Sequence, residues 1–476
     1  MTTSDSHPIR ELVGGSIGLP SEELDAVLTD PDSGEDLFAQ RASSAANVEH
    51  ALATAWQVHT AGTWAHLPVA ERAKVLRTLQ GELTARAEDI GRGDSLGSGV
   101  PLTTTSALTV GTATLLDVAA TRLEAGFGHE EGASSAGPTD RWRLPWGPVA
   151  VFLPWNAPAP TAIVKMSEAL VAGCPVVIKP SEWAPNFSGA FAEALSASLP
   201  DGVVQILHGD RRVGASIVED DRIAAVSYTG GVEGGRAVAE ACARQLKPAN
   251  LELSGNNPVV VLADADPATV VDEVIGGMLF LNGQYCVGPR RLVVPEDQAA
   301  DYVRRFSTAL ETVTIAATTD PASQLGPLSN RPHLERVEAQ VAAFADRGCE
   351  VHRHGRLPTG GGHFMQPTVI LADRGAEIRE EIFGPVLLVR TYRDLDEAVT
   401  VANDHPYGLS GHVFSARRDA ARDVGRQLRA AIVKVNHVMS APADISPVGS
   451  YWGVSGLGSL GHGEGALFFS GSRFVG

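Results

Sequence analysis

The chain is poor in the features that mark several large protein classes. It has only four cysteines in 476 residues, Cys174, Cys242, Cys286 and Cys349, all far apart. No two have metal-ligand spacing, and a chain this long can build its core without disulfides. The 14 histidines are scattered as well. Their densest patch, "HRHG" at 352–355, has no partner cluster, so it reads as a solvated loop and no metal site is expected. Positive charge is scarce: 38 Lys and Arg stand against 56 Asp and Glu, a formal net charge of -18. That balance argues against nucleic acid or an anionic membrane as a partner held by bulk electrostatics. Every long apolar run is interrupted by Gly, Pro or charge, so no transmembrane span is read. The opening "MTTSDSHPIRELVGG" lacks a basic start followed by an apolar stretch, so no signal peptide is read and a cytoplasmic location is expected. There is no internal repeat and no low-complexity tract.

What is present is the composition of a soluble globular protein, with 44% hydrophobic and 20% charged residues in a length that suits two or three domains. Residues 44–92 carry apolar positions three and four apart, and Pro68 suits a helix start. From residue 147 short apolar runs alternate with helical stretches. "GPVAVFLPWN", "CPVVIKPSE", "GVVQILHGD", "IAAVSYTGG" and "PVVVLADAD" are nearly all apolar, which predicts strands of a parallel sheet covered on both faces. A second α/β block is expected from about 258 to 450. The segment "GHEEGASSAGPTD" at 128–140 reads as a loop, "RWRLPW" after it as a strand, and the tail as ending in a strand.

Ligands of such sheets gather beyond the carboxyl ends of the strands. Asn156, Lys179, Glu182, Thr229, Gly230, Gly231 and Glu252 fall at those positions. Each has a plain structural reading: a turn residue for Asn156, an ion pair for Lys179 and Glu182, an ordinary strand-to-helix turn for the glycine pair, a capping or paired carboxylate for Glu252. Each also has a functional one. Lys179 could hold a ribose hydroxyl or phosphate, Glu182 could accept the two hydroxyls of an adenosine ribose, and a helix opening after Gly231 would face a phosphate with free N–H groups. Cys286, in "LFLNGQYCVGPRR", is either a buried thiol or a nucleophile. As a nucleophile it needs an oxyanion donor, which Asn156 could supply, and a base, which Glu252 could supply. No histidine sits in a motif that would make a Cys-His protease.

Taken together the segments "LPWNAP" (153–158), "KPSEWAP" (179–185), "SYTGGVEGG" (227–235), "LELSGNNP" (251–258), "NGQYC" (282–286), "EIFGPV" (381–386), "ANDHPYGLSGHVFS" (402–415) and "SGLG" (455–458) resemble the NAD(P)-dependent aldehyde dehydrogenases, in that family's order and over nearly the whole chain. The resemblance implies a Rossmann-like NAD-binding domain (1–122 and 146–254), a second α/β catalytic domain (255–450) and a small β oligomerisation flap (123–145 and 451–476). It implies that Cys286 attacks the aldehyde while the Asn156 amide and the Cys286 N–H hold the oxyanion. Hydride passes to NAD, and Glu252 activates the water that hydrolyses the thioester. It places the cofactor against Trp155, Lys179, Glu182, Thr229, Gly230, Gly231, Gly235, Glu381 and Phe383, with NAD preferred over NADP. The carboxylate at Glu252 speaks against the branch that passes the acyl group to coenzyme A. The subunits would form a homodimer or homotetramer.

The chain departs from the family pattern in several places. Gly231 stands where a serine is usual, and Ser254 and Asn256 where glycine and lysine are usual. Ala157 and Val164 replace large rings, while Tyr285, beside Cys286 and Val287, is bulkier than usual. Ala157, Val164, Tyr285 and Val287 would line a substrate tunnel, which the loss of the two rings widens for an aldehyde larger than acetaldehyde: aromatic, terpenoid or long-chain. "SPVGSYWGVSGLGSLG" lacks the usual basic residue and the Arg-Glu that follows the glycine. Two other readings stay open: a folded but inactive ligand-binding relative, and an esterase-like or acyl-transferring thiol enzyme. A dead relative would be expected to lose Cys286, Asn156 or Glu252, and all three are present.

Overall fold

The computed structural model describes residues 8–135, 137–372, 380–439, 449–460 and 465–476. Two large sheets, each clad in helices, dominate it. The first runs, in spatial order, Ser16–Gly18, Glu11–Val13, Val204–Ile206, Val176–Lys179, Val149–Phe152, Ala225–Thr229, Ala249–Glu252 and Gly456–Leu457. Its five central strands are parallel, and the flanking strands Glu11–Val13 and Gly456–Leu457 join them antiparallel. The apolar run 149–152 shows why both faces are covered. Val149 and Val151 pack into one core with Leu76, Met166 and Phe191, while Ala150 and Phe152 pack into another with Leu52 and Val213. Successive strand residues point to opposite faces, so an unbroken apolar strand needs a helix layer on each.

The second sheet runs Glu350–Arg353, Thr368–Leu371, Val386–Tyr392, Arg291–Pro295, Pro258–Val261, Ser410–Phe414 and Ile432–Val435. All neighbours are parallel except the first pair. Val259 and Val261 face the helices Pro267–Leu279 and Ala299–Leu310, and Val260 faces the opposite core with Ala398 and Ala421. A three-stranded antiparallel sheet, Ser470–Val475, Gly137–Pro145 and His129–Ser134, stands apart from both. These are α/β sheets of the kind the apolar runs and the family resemblance imply, except that "PVVVLADAD", read in one sheet with the four runs before it, forms Pro258–Val261 in the second sheet, paired with strands from far along the chain.

Three local expectations need correction. Residues 129–134 form a strand, although "GHEEGASSAGPTD" carries the small and polar residues of a loop. All six are exposed, so the strand rests on pairing with 137–142 and leaves no apolar signal. "HRHG" is not a solvated loop: His352 and Arg353 lie in an edge strand, and His354 is only 8% exposed. The N-terminal strands, including the hairpin Glu22–Thr29 with Asp36–Ala42, were not anticipated, because their apolar alternation is broken and the pairing carries register shifts. Residues 1–7, Ala136, 446–448 and Gly461, on which parts of the sequence reading fell, lie outside the described residues.

Candidate active site

The two sheets meet at a cavity of about 1290 Å³. The first sheet reaches it from the carboxyl ends of its strands. Register aligns Phe152 with Lys179 and with Tyr228, and Thr229 with Glu252, so the residues at these ends form a row along one edge. The second sheet reaches it from the opposite polarity. Cys286 precedes the strand Arg291–Pro295, and Glu381 and Phe383 precede Val386–Tyr392.

Cys286 hangs on a strained loop. Leu281, Asn282 and Gly283 all have left-handed backbones, with φ of 52°, 57° and 73°. Such a run costs on the order of 1–2 kcal/mol for each non-glycine residue and persists only where other bonds fix it. Here the Asn282 side chain donates to the carbonyls of Gly99 (2.7 Å) and Pro327 (2.8 Å) and accepts from the Gly326 N–H (3.0 Å). Gln284 donates to the Ser98 carbonyl (2.9 Å) and accepts from the Ser329 N–H (3.0 Å). Asn257 donates to the carbonyls of Cys286 (2.8 Å) and Gly288 (2.7 Å). A Cβ on Gly283 would stand 2.2 Å from the Gly384 carbonyl carbon, so only glycine lets this loop touch the Glu381–Phe383 segment.

The thiol so placed donates to Glu252 Oε1 at 3.2 Å. Burial first, then the Glu252 carboxylate, raise the Cys286 thiol well above its usual range, so it rests protonated. Lys165 Nζ lies 3.7 Å from the other Glu252 oxygen. Asn156 donates one amide hydrogen to the Gln284 carbonyl at 2.7 Å. It sits where the strand Val149–Phe152 gives way to the helix Pro158–Ala172, whose Ala159 N–H is 3.3 Å from both oxygens of the buried Asp94 carboxyl.

At the carboxyl end of the strand Val176–Lys179, Lys179 Nζ is 3.7 Å from Glu182 Oε2. Among the described residues Thr229 Oγ1 is buried without a hydrogen-bond partner, and a Cβ on Gly231 would meet nothing within 4 Å. Glu381 is 3.3 Å from Arg290 Nε, and burial pushes its carboxyl up to about 7 against the opposing pull of Arg290. The Phe383 ring stands edge-on to Trp155, centroids 5.4 Å apart, with the Arg290 guanidinium 5.3 Å from its centre. His333 fixes the Phe383 carbonyl at 2.7 Å.

Of the residues singled out in the sequence, Trp155, Asn156, Ala157, Val164, Lys179, Glu182, Thr229, Gly230, Gly231, Glu252, Tyr285, Cys286, Val287, Glu381 and Phe383 all line this cavity. Gly235 does not. A Cβ there would lie 2.4 Å from the Leu253 side chain, so this glycine lets the helix Val232–Arg244 pack against the strand end. Sequence reasoning missed Lys165, Arg290 and Tyr451. Lys165 follows Val164 directly and Arg290 lies in "GPRR", but neither carries a local signal of its destination. Among the described residues no group of three or more His, Cys, Asp or Glu could hold a metal ion.

A thiol and a carboxylate in contact at the edge of a nucleotide-type sheet define a class of two-sheet, thiol-bearing enzyme. The model of the aldehyde dehydrogenase family matches residues 20–475. A geranial dehydrogenase of Castellaniella defragrans is 34% identical over 398 residues, covering 83% of each chain. A phenylacetaldehyde dehydrogenase of Pseudomonas fluorescens is 29% identical over 451 residues, covering 91% of this chain and 89% of that one. A crystal structure of a Pseudomonas syringae aldehyde dehydrogenase with NAD+ and octanal superposes with a TM-score of 0.92 at 28% identity, covering 99% of this chain and 98% of that one. The chain belongs to the aldehyde dehydrogenase family, and its enzyme class is aldehyde dehydrogenase.

Proposed function

We propose that this protein oxidises a medium to large aldehyde to its carboxylic acid with NAD, using Cys286 as nucleophile and Glu252 as base. The contact between Cys286 Sγ and Glu252 carries the reading. Loss of the thiol proton to Glu252 gives a thiolate that bonds to the aldehyde carbon. The oxygen that gains the charge is met by the second amide hydrogen of Asn156 and the Cys286 N–H. The nicotinamide, when bound, supplies the acceptor for the aldehyde hydride. Cys286 then carries a thioester. Glu252 first gives the thiol proton up to solvent, then takes a proton from water as the water attacks; the C–S bond breaks, the Cys286 thiolate takes that proton, and the acid leaves.

The residues present suit such a dinucleotide. Thr229 has a spare buried hydroxyl and Gly231 has open space, which leaves room for a phosphate at the start of the helix Val232–Arg244. Lys179 and Glu182 would take the adenosine ribose, and the Glu182 carboxylate would repel a 2′-phosphate, which favours NAD over NADP. Glu381 would accept from the nicotinamide ribose, with Trp155 and Phe383 walling the ring. Solved relatives from Pseudomonas syringae and Mycobacterium tuberculosis contain NAD+.

The substrate reading rests on Ala157 and Val164, small residues in the lining of the cavity that holds Cys286. Relatives named for a terpenoid and an aromatic aldehyde, and octanal in a structural neighbour, support it. Phe474 and Val475, 70% and 53% exposed on the three-stranded sheet, support a homodimer or homotetramer that covers them, with residues 123–145 and 451–476 as the joining segment. No described helix is long and apolar enough to cross a membrane. The test is NADH formation with NAD or NADP over small, aromatic, terpenoid and long-chain aldehydes. Turnover should prefer NAD and rise with substrate size; equal rates on acetaldehyde and large aldehydes would overturn the tunnel reading.

A further inference from the structure

Tyr451 lines the same cavity as Cys286 and Glu252 yet has no part in the steps above. It is only 9% exposed, and its hydroxyl is buried with no hydrogen-bond partner among the described residues. A buried hydroxyl without a partner is unfavourable, so one at a reaction centre asks for a partner that comes and goes. The chain holds it there firmly. The Tyr451 N–H donates to the Gly458 carbonyl at 3.1 Å, which folds 451–458 into a turn. Ser455 pins that turn by donating to the Ser254 carbonyl at 2.7 Å. Gly456 pairs antiparallel with Glu252 itself. A Cβ on Gly456 would lie 1.9 Å from the Leu251 carbonyl and 2.9 Å from the Tyr451 ring, so glycine at 456 lets the ring close on the strand that ends in Glu252.

At rest, among the described residues, the Glu252 carboxylate meets the Cys286 thiol at 3.2 Å and the Lys165 ammonium at 3.7 Å. Acylation removes the first, because a thioester sulfur has no hydrogen to donate. We propose that Tyr451 is a positioning residue for hydrolysis: its hydroxyl donates to the Glu252 carboxylate once Cys286 is acylated, holding the carboxylate ionised and aimed at the attacking water. The step balances without the phenol losing its proton. The water oxygen bonds to the thioester carbon and its proton passes to Glu252. The C–S bond breaks, and the Cys286 thiolate takes that proton back, restoring the contact seen at rest. Burial and the two acidic neighbours keep the phenol protonated, as a donor must be.

The inference rests on the proposed roles of Cys286 and Glu252, so its test starts from an acyl-enzyme made without aldehyde or NAD. p-Nitrophenyl acetate would acetylate Cys286 in a burst of nitrophenolate, and the slower steady phase would report hydrolysis. Tyr451→Phe keeps the ring and removes the donor. It should leave the burst at one nitrophenolate per chain and slow the steady phase about tenfold, roughly the effect of one hydrogen bond. The pH profile of the steady phase should change while the burst does not, because only the steady phase uses this bond. Should Y451F not fold, 3-fluorotyrosine at 451 strengthens the same donor and should speed the steady phase with the burst unchanged. An unchanged steady phase and profile, or a burst that falls in step with the steady phase, would overturn the role of Tyr451. A burst that persists in Cys286→Ala would instead remove the reading on which it rests.

Discussion

The two sheets build the site by opposite means. The first presents Lys179, Thr229 and Glu252 from the carboxyl ends of parallel strands, where register alone sets their spacing. The second presents Cys286, Glu381 and Phe383 from loops that enter its strands, and those loops are held by side chains: Asn282, Gln284, Asn257 and Arg290. A strand end is fixed by the sheet it belongs to. A loop with left-handed residues must be fixed bond by bond. The lesson is that the nucleophile side should be sensitive to single polar deletions, while the cofactor and tunnel sides should tolerate change and respond in affinity or selectivity.

The largest expected effect is at Cys286, the proposed nucleophile. Cys286→Ala should lower NADH formation by about 10⁴-fold or more with the fold intact, as loss of a covalent nucleophile does. Retained turnover would end the mechanism. Asn282→Ala tests the bracing directly. It deletes contacts to Gly99, Pro327 and Gly326, so unfolding free energy should drop by about 2–4 kcal/mol, and activity should fall about 100-fold as Cys286 loses its aim. A denaturation midpoint unchanged by N282A would contradict the view that this loop is held by side chains.

The tunnel side should behave otherwise. Ala157→Phe and Val164→Trp put large rings where the cavity lining has small side chains. Each should cut kcat/KM for aromatic and terpenoid aldehydes about 10- to 100-fold while leaving acetaldehyde within about threefold. Equal losses for all aldehydes would mean that these rings disturb Asn156 and not the tunnel.

Glu381 offers a pH test. Its carboxyl, raised to about 7 mainly by burial, is protonated below that value and ionised above it. Only the ionised form accepts fully from a ribose hydroxyl, so KM for NAD should rise several-fold as pH falls from 8 to 6. In Glu381→Gln that dependence should vanish. The same shift acts on stability with a definite sign. A carboxyl raised in the folded state favours folding at low pH, and that contribution is lost as pH climbs from the ordinary carboxyl range to about 7.

The same polarity explains what the sequence could show. Apolar runs such as "GPVAVFLPWN" announce buried parallel strands, and polar residues at their carboxyl ends announced Asn156, Lys179, Glu182 and Glu252 from pattern alone. Cys286, Glu381 and Phe383 precede their strands, where no such rule applies, and only the family's motifs pointed to them. Tyr451 and Lys165 reach the cavity through long-range pairing and helix placement, which local spacing does not encode. The strand His129–Ser134 has no buried face, so nothing in its residues distinguished it from a loop.

The smallest effect is expected at Gly231→Ser, and it separates two uses of one hydroxyl. Gly231 is the N-cap of the helix Val232–Arg244, with φ −72° and ψ 155°, a conformation serine adopts freely. A Cβ there meets nothing, so the substitution is free of strain. The new hydroxyl can accept from a first-turn N–H and cap the helix, which relative to glycine is worth a few tenths of a kcal/mol. It can instead donate to a bound phosphate, which would lower KM for NAD about two- to fivefold. Both act at the carboxyl edge of the first sheet and neither touches Cys286, so kcat should stay within about twofold. A higher Tm with unchanged KM would show that the cap takes the hydroxyl; a lower KM with unchanged Tm would show that the cofactor does. A large fall in kcat would break the comparison itself, since it would mean that the strand-end row is as tightly coupled to the nucleophile as the braced loop is.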